Sequence, residues 1–275
     1  MNDATKKFLR LCFIFLKRDF LINMSYRFAF MLDLGGIFFS TVTFFFIAKL
    51  FGNAALPYLS EYNTGYFPFV LIGIAFSEYL YAALNTFMDA LREEQITGTL
   101  ENILSSPIRI SSLLICGSLW NFIFTSFRIA LYLIIGWLLF GFDISNKNYL
   151  SSFTVIILTV LSFSGLGMLS GSFILIFKKG EPINFIFSGL SRFLGGVYFP
   201  IIILPLWIQN ISLLLPITYA LDAMRKAVLN NADLFSLRYD IACLIIFTAL
   251  FLPLGIFSFR LALLRAKKEG SLLYY

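Results

Sequence analysis

Three ionisable side chains, Glu78, Arg128 and Arg192, stand inside stretches of sequence that are otherwise apolar enough to cross a bilayer. Glu78 falls near the middle of the second such stretch and Arg128 near the middle of the third. A charge at the centre of a bilayer costs about 2.5–3.5 kcal/mol on insertion scales, so it usually finds a partner or water. Glu78 is therefore expected to pair with Arg128 or Arg192. Such a pair could fix the register of packed helices, or it could touch a substrate in a hydrated path. Two further charges need no special role. Lys49 lies near the outer end of its stretch and can snorkel, and Asp33 is close to the inner headgroups.

Little else in the chain could do bond-making chemistry. Histidine is absent, and the three cysteines, Cys12, Cys116 and Cys243, are scattered without metal-ligand spacing. Neither a zinc site nor a disulfide framework is expected. A membrane-embedded enzyme would need converging acid–base, metal-binding or nucleophilic side chains. No Gly-x4-Gly-Lys-Ser/Thr loop occurs, so nothing in this sequence cradles ATP phosphates. The chain reads as a non-enzyme with no cofactor of its own. If ATP drives it, another chain must bind the nucleotide.

Composition dictates the elements that hold these charges. Of 275 residues, 59% are apolar and 13% charged, about half the charged share that covers a soluble domain. Lipid must supply much of the solvent, and the 34 Phe suit lipid contact and interfacial belts. A membrane helix needs about 20 mostly apolar residues. Five stretches meet this: 28–50, 67–88, 113–140, 153–177 and 241–259. A sixth, 183–199, is shorter, and its Gly189, Gly195 and Gly196 leave room for close helix packing. The fold class is all-α and polytopic, with six transmembrane helices.

Orientation follows from Lys and Arg. With the amino terminus inside, the inner segments hold 14 of them and the outer segments 4, so both termini are expected in the cytosol. The net charge of +6 then reflects topology and anionic lipid rather than nucleic acid. Residues 1–27 mix apolar residues with Lys6, Lys7, Arg10, Lys17 and Arg18. They read as a retained amphipathic helix at the inner interface, not as a cleaved signal. Residues 28–264 form the membrane domain, and 265–275 a cytosolic tail.

Two segments stand out from the spans. In 89–107, Leu91, Ile96, Leu100, Ile103 and Leu104 recur at near-helical spacing, opposite Arg92, Glu93, Glu94, Thr97 and Glu101. A short amphipathic helix there could rest on lipid or fit a groove on a soluble partner. Its four acidic residues disfavour an anionic leaflet and favour the partner. Residues 200–230 are too apolar for an ordinary outer loop and too interrupted by Pro200, Pro205 and Pro216 for one spanning helix. Non-helical backbone at membrane depth survives only when covered by protein or lining a wet cavity. A re-entrant hairpin of short helices dipping into the outer leaflet fits, with Trp207 and Tyr219 at the interface.

The order of motifs resembles the permease subunits of ABC type-2 exporters. A Glu-x4-Gly-Thr-Leu-Glu segment (Glu93 or Glu94, then Gly98, Thr99, Leu100 and Glu101) lies between the second and third stretches. Further on come Gly196-Val-Tyr198-Phe-Pro200, Leu-Pro205-x-Trp207-x-Gln, Leu-Pro216-Ile-Thr-Tyr219-Ala and Asp-Ala-Met-Arg225. The resemblance implies two permeases per transporter, most simply two copies of this chain, each contacting an ABC ATPase subunit that binds ATP and Mg. It implies that 89–107, with Arg92 among its residues, is the coupling helix, and that 200–230 caps the exit. It places the chain in the cytoplasmic (inner) membrane. The cargo is expected to be an amphiphile: a lipid-linked glycan, a lipid or a hydrophobic drug-like compound. An ion-coupled secondary transporter is the alternative, although such proteins often show repeated halves and no convincing repeat is visible here.

Overall fold

In the computed structural model the described residues are 3–96, 98, 110–142, 148–177 and 181–268. Their regular structure is helical, without strands among them. In chain order the helices are α1 (Asp3–Ser25), α2 (Arg27–Phe51), a 3₁₀ segment (Gly52–Tyr62), α3 (Tyr66–Ile96), α4 (Ile110–Phe140) and α5 (Tyr149–Phe177). They continue as α6 (Glu181–Leu194), a 3₁₀ turn (Ile201–Ile203), α7 (Leu206–Ser212), α8 (Pro216–Leu229) and α9 (Arg238–Lys268). Five regions among them are long and apolar enough to cross a membrane: Arg27–Tyr62, Tyr66–Phe87, Ile115–Phe140, Tyr149–Phe177 and Arg238–Ala266.

The expected sixth span differs. Residues 183–199 do not form one long helix, because α6 covers 14 residues, about 21 Å at 1.5 Å per residue, against a hydrocarbon core of about 30 Å. The chain leaves the helix at Gly195 and Gly196, where Gly196 takes φ +77, a conformation that favours glycine. The amide of Val197 returns to the Arg192 carbonyl at 3.2 Å.

α3 is the central element: 78% of its apolar window is buried, against 11% for α2 and for α9. Val70, Leu71, Phe76, Tyr79, Leu80, Ala83 and Leu84 are all buried on it, and α2, α4, α5, α6 and α8 pack around it. The most extensive helix pair is α5 against α9. The packing there is made by glycine: a Cβ on Gly165 would meet the Phe251 carbonyl carbon at 2.5 Å and the Leu252 nitrogen at 2.6 Å. Small residues let helix backbones approach where lipid gives no hydrophobic drive to associate. The glycines noted in the sequence behave unequally. Gly195 abuts Ile217 and the Ser191 carbonyl, whereas Gly189 has nothing within 4 Å.

Helix α1 lies against the start of α4. Contrary to expectation, two of the cysteines are joined there: Cys12 and Cys116 form a disulfide with a Cα–Cα distance of 4.5 Å. They are 104 positions apart in sequence, and spacing alone does not disclose such a pairing.

Candidate functional site

Three helices converge on one carboxylate. α3 brings Glu78, α4 brings Arg128 and α6 brings Arg192. Arg128 Nη2 lies 3.2 Å from Glu78 Oε2, and Arg192 Nη2 lies 3.5 Å from Glu78 Oε1. Glu78 thus pairs with both arginines. None of the three is sealed: the Glu78 side chain is 15% exposed and each arginine 28%. The Nε groups of Arg128 and Arg192 are nevertheless buried and have no hydrogen-bond partner. One residue along α3, the Tyr79 hydroxyl meets Ser126 Oγ at 2.7 Å, so a neutral pair beside the charged one also ties α3 to α4. Farther along, Asn184 of α6 donates to the Leu84 carbonyl at 3.0 Å and to Asn85 Oδ1 at 3.1 Å. An amide in an apolar stretch was the available signal for it.

A second polar constellation, absent from the sequence reading, sits at the end of the bundle that carries Gly52–Tyr62. Lys226 of α8 reaches Glu61 at 2.9 Å, Asp222 at 2.9 Å and Asp240 at 4.0 Å. Asp222 also accepts a hydrogen bond from the Tyr62 hydroxyl at 3.0 Å. The 3₁₀ segment, α8 and the first turn of α9 are held together by one ammonium. Burial lowers the pKa of Lys226, but its hydrogen bonds to Asp222 and Glu61 and the charge of Asp240 outweigh that and hold it above the usual lysine range. With a raised folded pKa, its contribution is complete below the ordinary lysine value of about 10.4 and is lost only as pH rises through the folded one. Lys226→Met is expected to lower stability by about 2 kcal/mol, the scale of a lost charge-assisted hydrogen bond. Thermal melts at about pH 9, below the ordinary lysine value of about 10.4, should show that deficit. Melts that coincide with the wild type there would mean another group governs the contact.

Beside this network, Arg225 is 3% exposed. Its Nε donates to the Phe69 carbonyl at 3.2 Å and its Nη2 to the Val197 carbonyl at 3.1 Å. The other residues singled out in 200–230 are placed as follows. The Tyr198 ring stacks on Phe44 at 5.8 Å with a 12° interplanar angle. Pro200 and Pro205 flank the Ile201–Ile203 turn in extended conformations. Trp207 is 66% exposed. Pro216 opens α8, where its missing N–H forfeits no helical bond. The Tyr219 hydroxyl donates to the Leu213 carbonyl at 3.0 Å, and its ring lies against Tyr239 and Phe247.

At the opposite end α3 runs on to Ile96. Arg92, Glu93 and Glu94 are therefore on its last turns rather than on a separate short helix, since no glycine or proline interrupts 89–97. Arg92 is exposed, and Gly98 takes φ +69. Thr99, Leu100 and Glu101 lie outside the described residues, as does the rest of 99–107. Between α1 and the ends of α3 and α4 is a cavity of about 150 Å³, lined among others by Arg18, Asp19, Asn23, Asp89, Trp120 and Asn121. Arg18 Nε donates to Asp19 Oδ1 across 2.8 Å at its rim. Among the described residues no group of His, Cys, Asp or Glu could hold a metal ion.

The family model described as ABC-2 type transporter matches residues 10–229. Two curated proteins from Escherichia coli, strain K12 and O157:H7, both named probable multidrug ABC transporter permease YbhR, are each 26% identical over 164 residues. The match covers 60% of this chain and 44% of each relative, so the chain spans less than half the length of the curated proteins it matches.

Proposed function

The chain belongs to the ABC-2 type transporter family, and from that premise we propose that it is the permease subunit of an ATP-driven exporter carrying an amphiphile across the cytoplasmic membrane. The observation that carries this reading is the family match over residues 10–229 on a chain whose described helices include five able to cross a bilayer. The amphiphile is a lipid-linked glycan, a lipid or a hydrophobic drug-like compound. The relatives' name, which refers to multidrug transport, supports the last of these classes.

In this reading a separate ABC ATPase binds ATP and Mg and docks on 89–107, from Arg92, Glu93 and Glu94 through Gly98, Thr99, Leu100 and Glu101. The rigid continuation of α3 from mid-membrane Glu78 to Arg92 gives the ATPase a lever: motion at the end of α3 reaches the triad through one helix. A second copy of the chain completes the path between two permeases, with lipid around them and both termini in the cytosol. The segment 200–230 folds back as the outer cap, with Trp207 at the interface and Tyr198, Pro200, Pro205, Pro216, Tyr219 and Arg225 shaping the turn.

The test is co-purification of the permease with the ATPase, followed by Glu93→Lys, Glu94→Lys and Glu101→Lys together. Reversing three charges at a complementary surface sets like charges against each other, a penalty of several kcal/mol. The expected result is a loss of ATPase binding of at least about a hundredfold, equivalent to ~2.7 kcal/mol, with the permease still folded. Transport in sealed vesicles should require nucleotide. Uptake driven by an ion gradient in its absence would replace this reading with that of a secondary transporter.

A further inference from the structure

The charge balance at mid-membrane is incomplete. Glu78 supplies one negative charge to Arg128 and Arg192, at 3.2 and 3.5 Å, so the triad carries a net charge of +1. One arginine would neutralise Glu78 and fix the register of α3 against a neighbour, and Tyr79–Ser126 already serves that register. The second arginine needs another reason. Each guanidinium has five N–H donors. The ion pairs engage one terminal nitrogen of each, and both Nε groups are buried without a partner. Each arginine side chain is also 28% exposed. An arginine open to hydrocarbon at the centre of a bilayer is costly, so that open side faces water, protein or an anion.

Among the described residues Glu78 is the carboxylate both arginines reach. The Arg192 guanidinium also lies 6.0 Å from the Tyr81 ring centroid. Two planar guanidinium donors about one carboxylate, beside an aromatic ring, match an acidic head with an apolar tail. We infer that the Glu78–Arg128–Arg192 triad is an anion-binding site that takes the phosphate or carboxylate head of an amphiphile at mid-membrane. Binding follows from the triad alone. That the bound amphiphile is cargo rests on the permease reading given above.

The experiment uses the full chain in uncharged maltoside micelles, titrated calorimetrically with dodecyl phosphate and with dodecyltrimethylammonium. Dodecyl phosphate is expected to bind the wild type, and Arg128→Gln and Arg192→Gln each to weaken it at least about tenfold, the scale set by a lost charge-assisted contact. Glu78→Gln, which raises the net charge to +2, is expected to tighten binding several-fold, a direction that general destabilisation would not produce. The cationic probe should gain nothing in any variant. Equal phosphate affinity across wild type and the three variants overturns the site. Should an arginine variant fail to fold, Glu78→Gln alone decides: no gain in phosphate affinity overturns the proposal. Adding the partner ATPase separates the two sources of such a head. Stimulated ATP hydrolysis marks dodecyl phosphate as a mimic of cargo, and binding without stimulation marks a resident acidic lipid. Either result upholds the anion site, and the second leaves the permease reading to its own test.

Discussion

Replacing Arg225 with Met is expected to cost about 3–5 kcal/mol, within the sum for two buried carbonyls left unpaired at about 1–3 kcal/mol each, and to abolish accumulation of folded protein. Arg225 is 3% exposed and belongs to α8, yet its contacts are with two other parts of the chain. Nε holds the Phe69 carbonyl in the first turn of α3, and Nη2 holds the Val197 carbonyl in the bend after α6. The guanidinium carbon lies 3.5 Å from the Phe69 ring centroid, close enough for a cation–π contact. Burial draws its pKa down to about 10, so it stays a cation at neutral pH.

Methionine would fill much of the volume and supply none of the donors, leaving two carbonyls in a dry site. Arg225→Lys separates charge from geometry. A lysine keeps the charge but has neither the planar fork nor the ring stacking, so it should recover only a minor part of the loss. Fluorescence-detected size exclusion and thermal melts in detergent read both variants. If Arg225→Lys melts with the wild type, the argument from geometry is wrong and charge alone suffices. A loss of this size is a large fraction of the 5–15 kcal/mol that separates folded from unfolded protein, so no transport assay is needed to see it.

The sequence made the five long apolar helices legible because a bilayer imposes a length and a composition that few other environments demand. It made the triad legible for the same reason, since Glu78 and Arg128 are costly wherever their partners are absent. The Lys226 network was not legible. Glu61, Asp222, Lys226 and Asp240 look like ordinary solvated charges between apolar stretches, and Glu61 and Lys226 are 165 positions apart. Only packing of the 3₁₀ segment and of α9 against α8 brings them together.

Composition also could not fix where helices stop. Residues 89–96 are helix formers with no breaker before Gly98, so α3 continues past the apolar run that ended the predicted span. The opposite holds at 195–200, where the apolar run continues but Gly195, Gly196 and Pro200 end the helix. Hydropathy measures where lipid is tolerated, while glycine and proline decide where the backbone turns.

Gly165→Leu is the second change expected to unfold the protein. A single Cβ at Gly165 would meet the Phe251 carbonyl carbon, the Leu252 nitrogen and the Phe251 oxygen at 2.5, 2.6 and 2.7 Å. All three are backbone atoms of α9, which cannot swing aside as a side chain can. The contact is reciprocal: a Cβ on Gly255 would meet the Gly165 oxygen at 2.5 Å and Met168 Cβ at 3.0 Å. On the same helix, Gly167 abuts Ala83 of α3, and a Cβ at Gly171 would meet the Phe259 ring at 2.8 Å. α5 is thus wedged between α3 and α9 with no slack in either direction. Overpacking a fitted core costs about 1–3 kcal/mol and occasionally more, and displaced backbone puts Gly165→Leu at or above the top of that range.

Gly189→Ala is the contrasting change, because nothing lies within 4 Å of its added Cβ. An alanine there removes backbone freedom from the unfolded chain and is expected to stabilise by up to about 1 kcal/mol. The two glycines lie in similar small-residue, apolar stretches and are indistinguishable by composition, yet the substitutions should move the melting temperature in opposite directions. Equal effects of the two would show that α5 and α9 do not approach backbone to backbone.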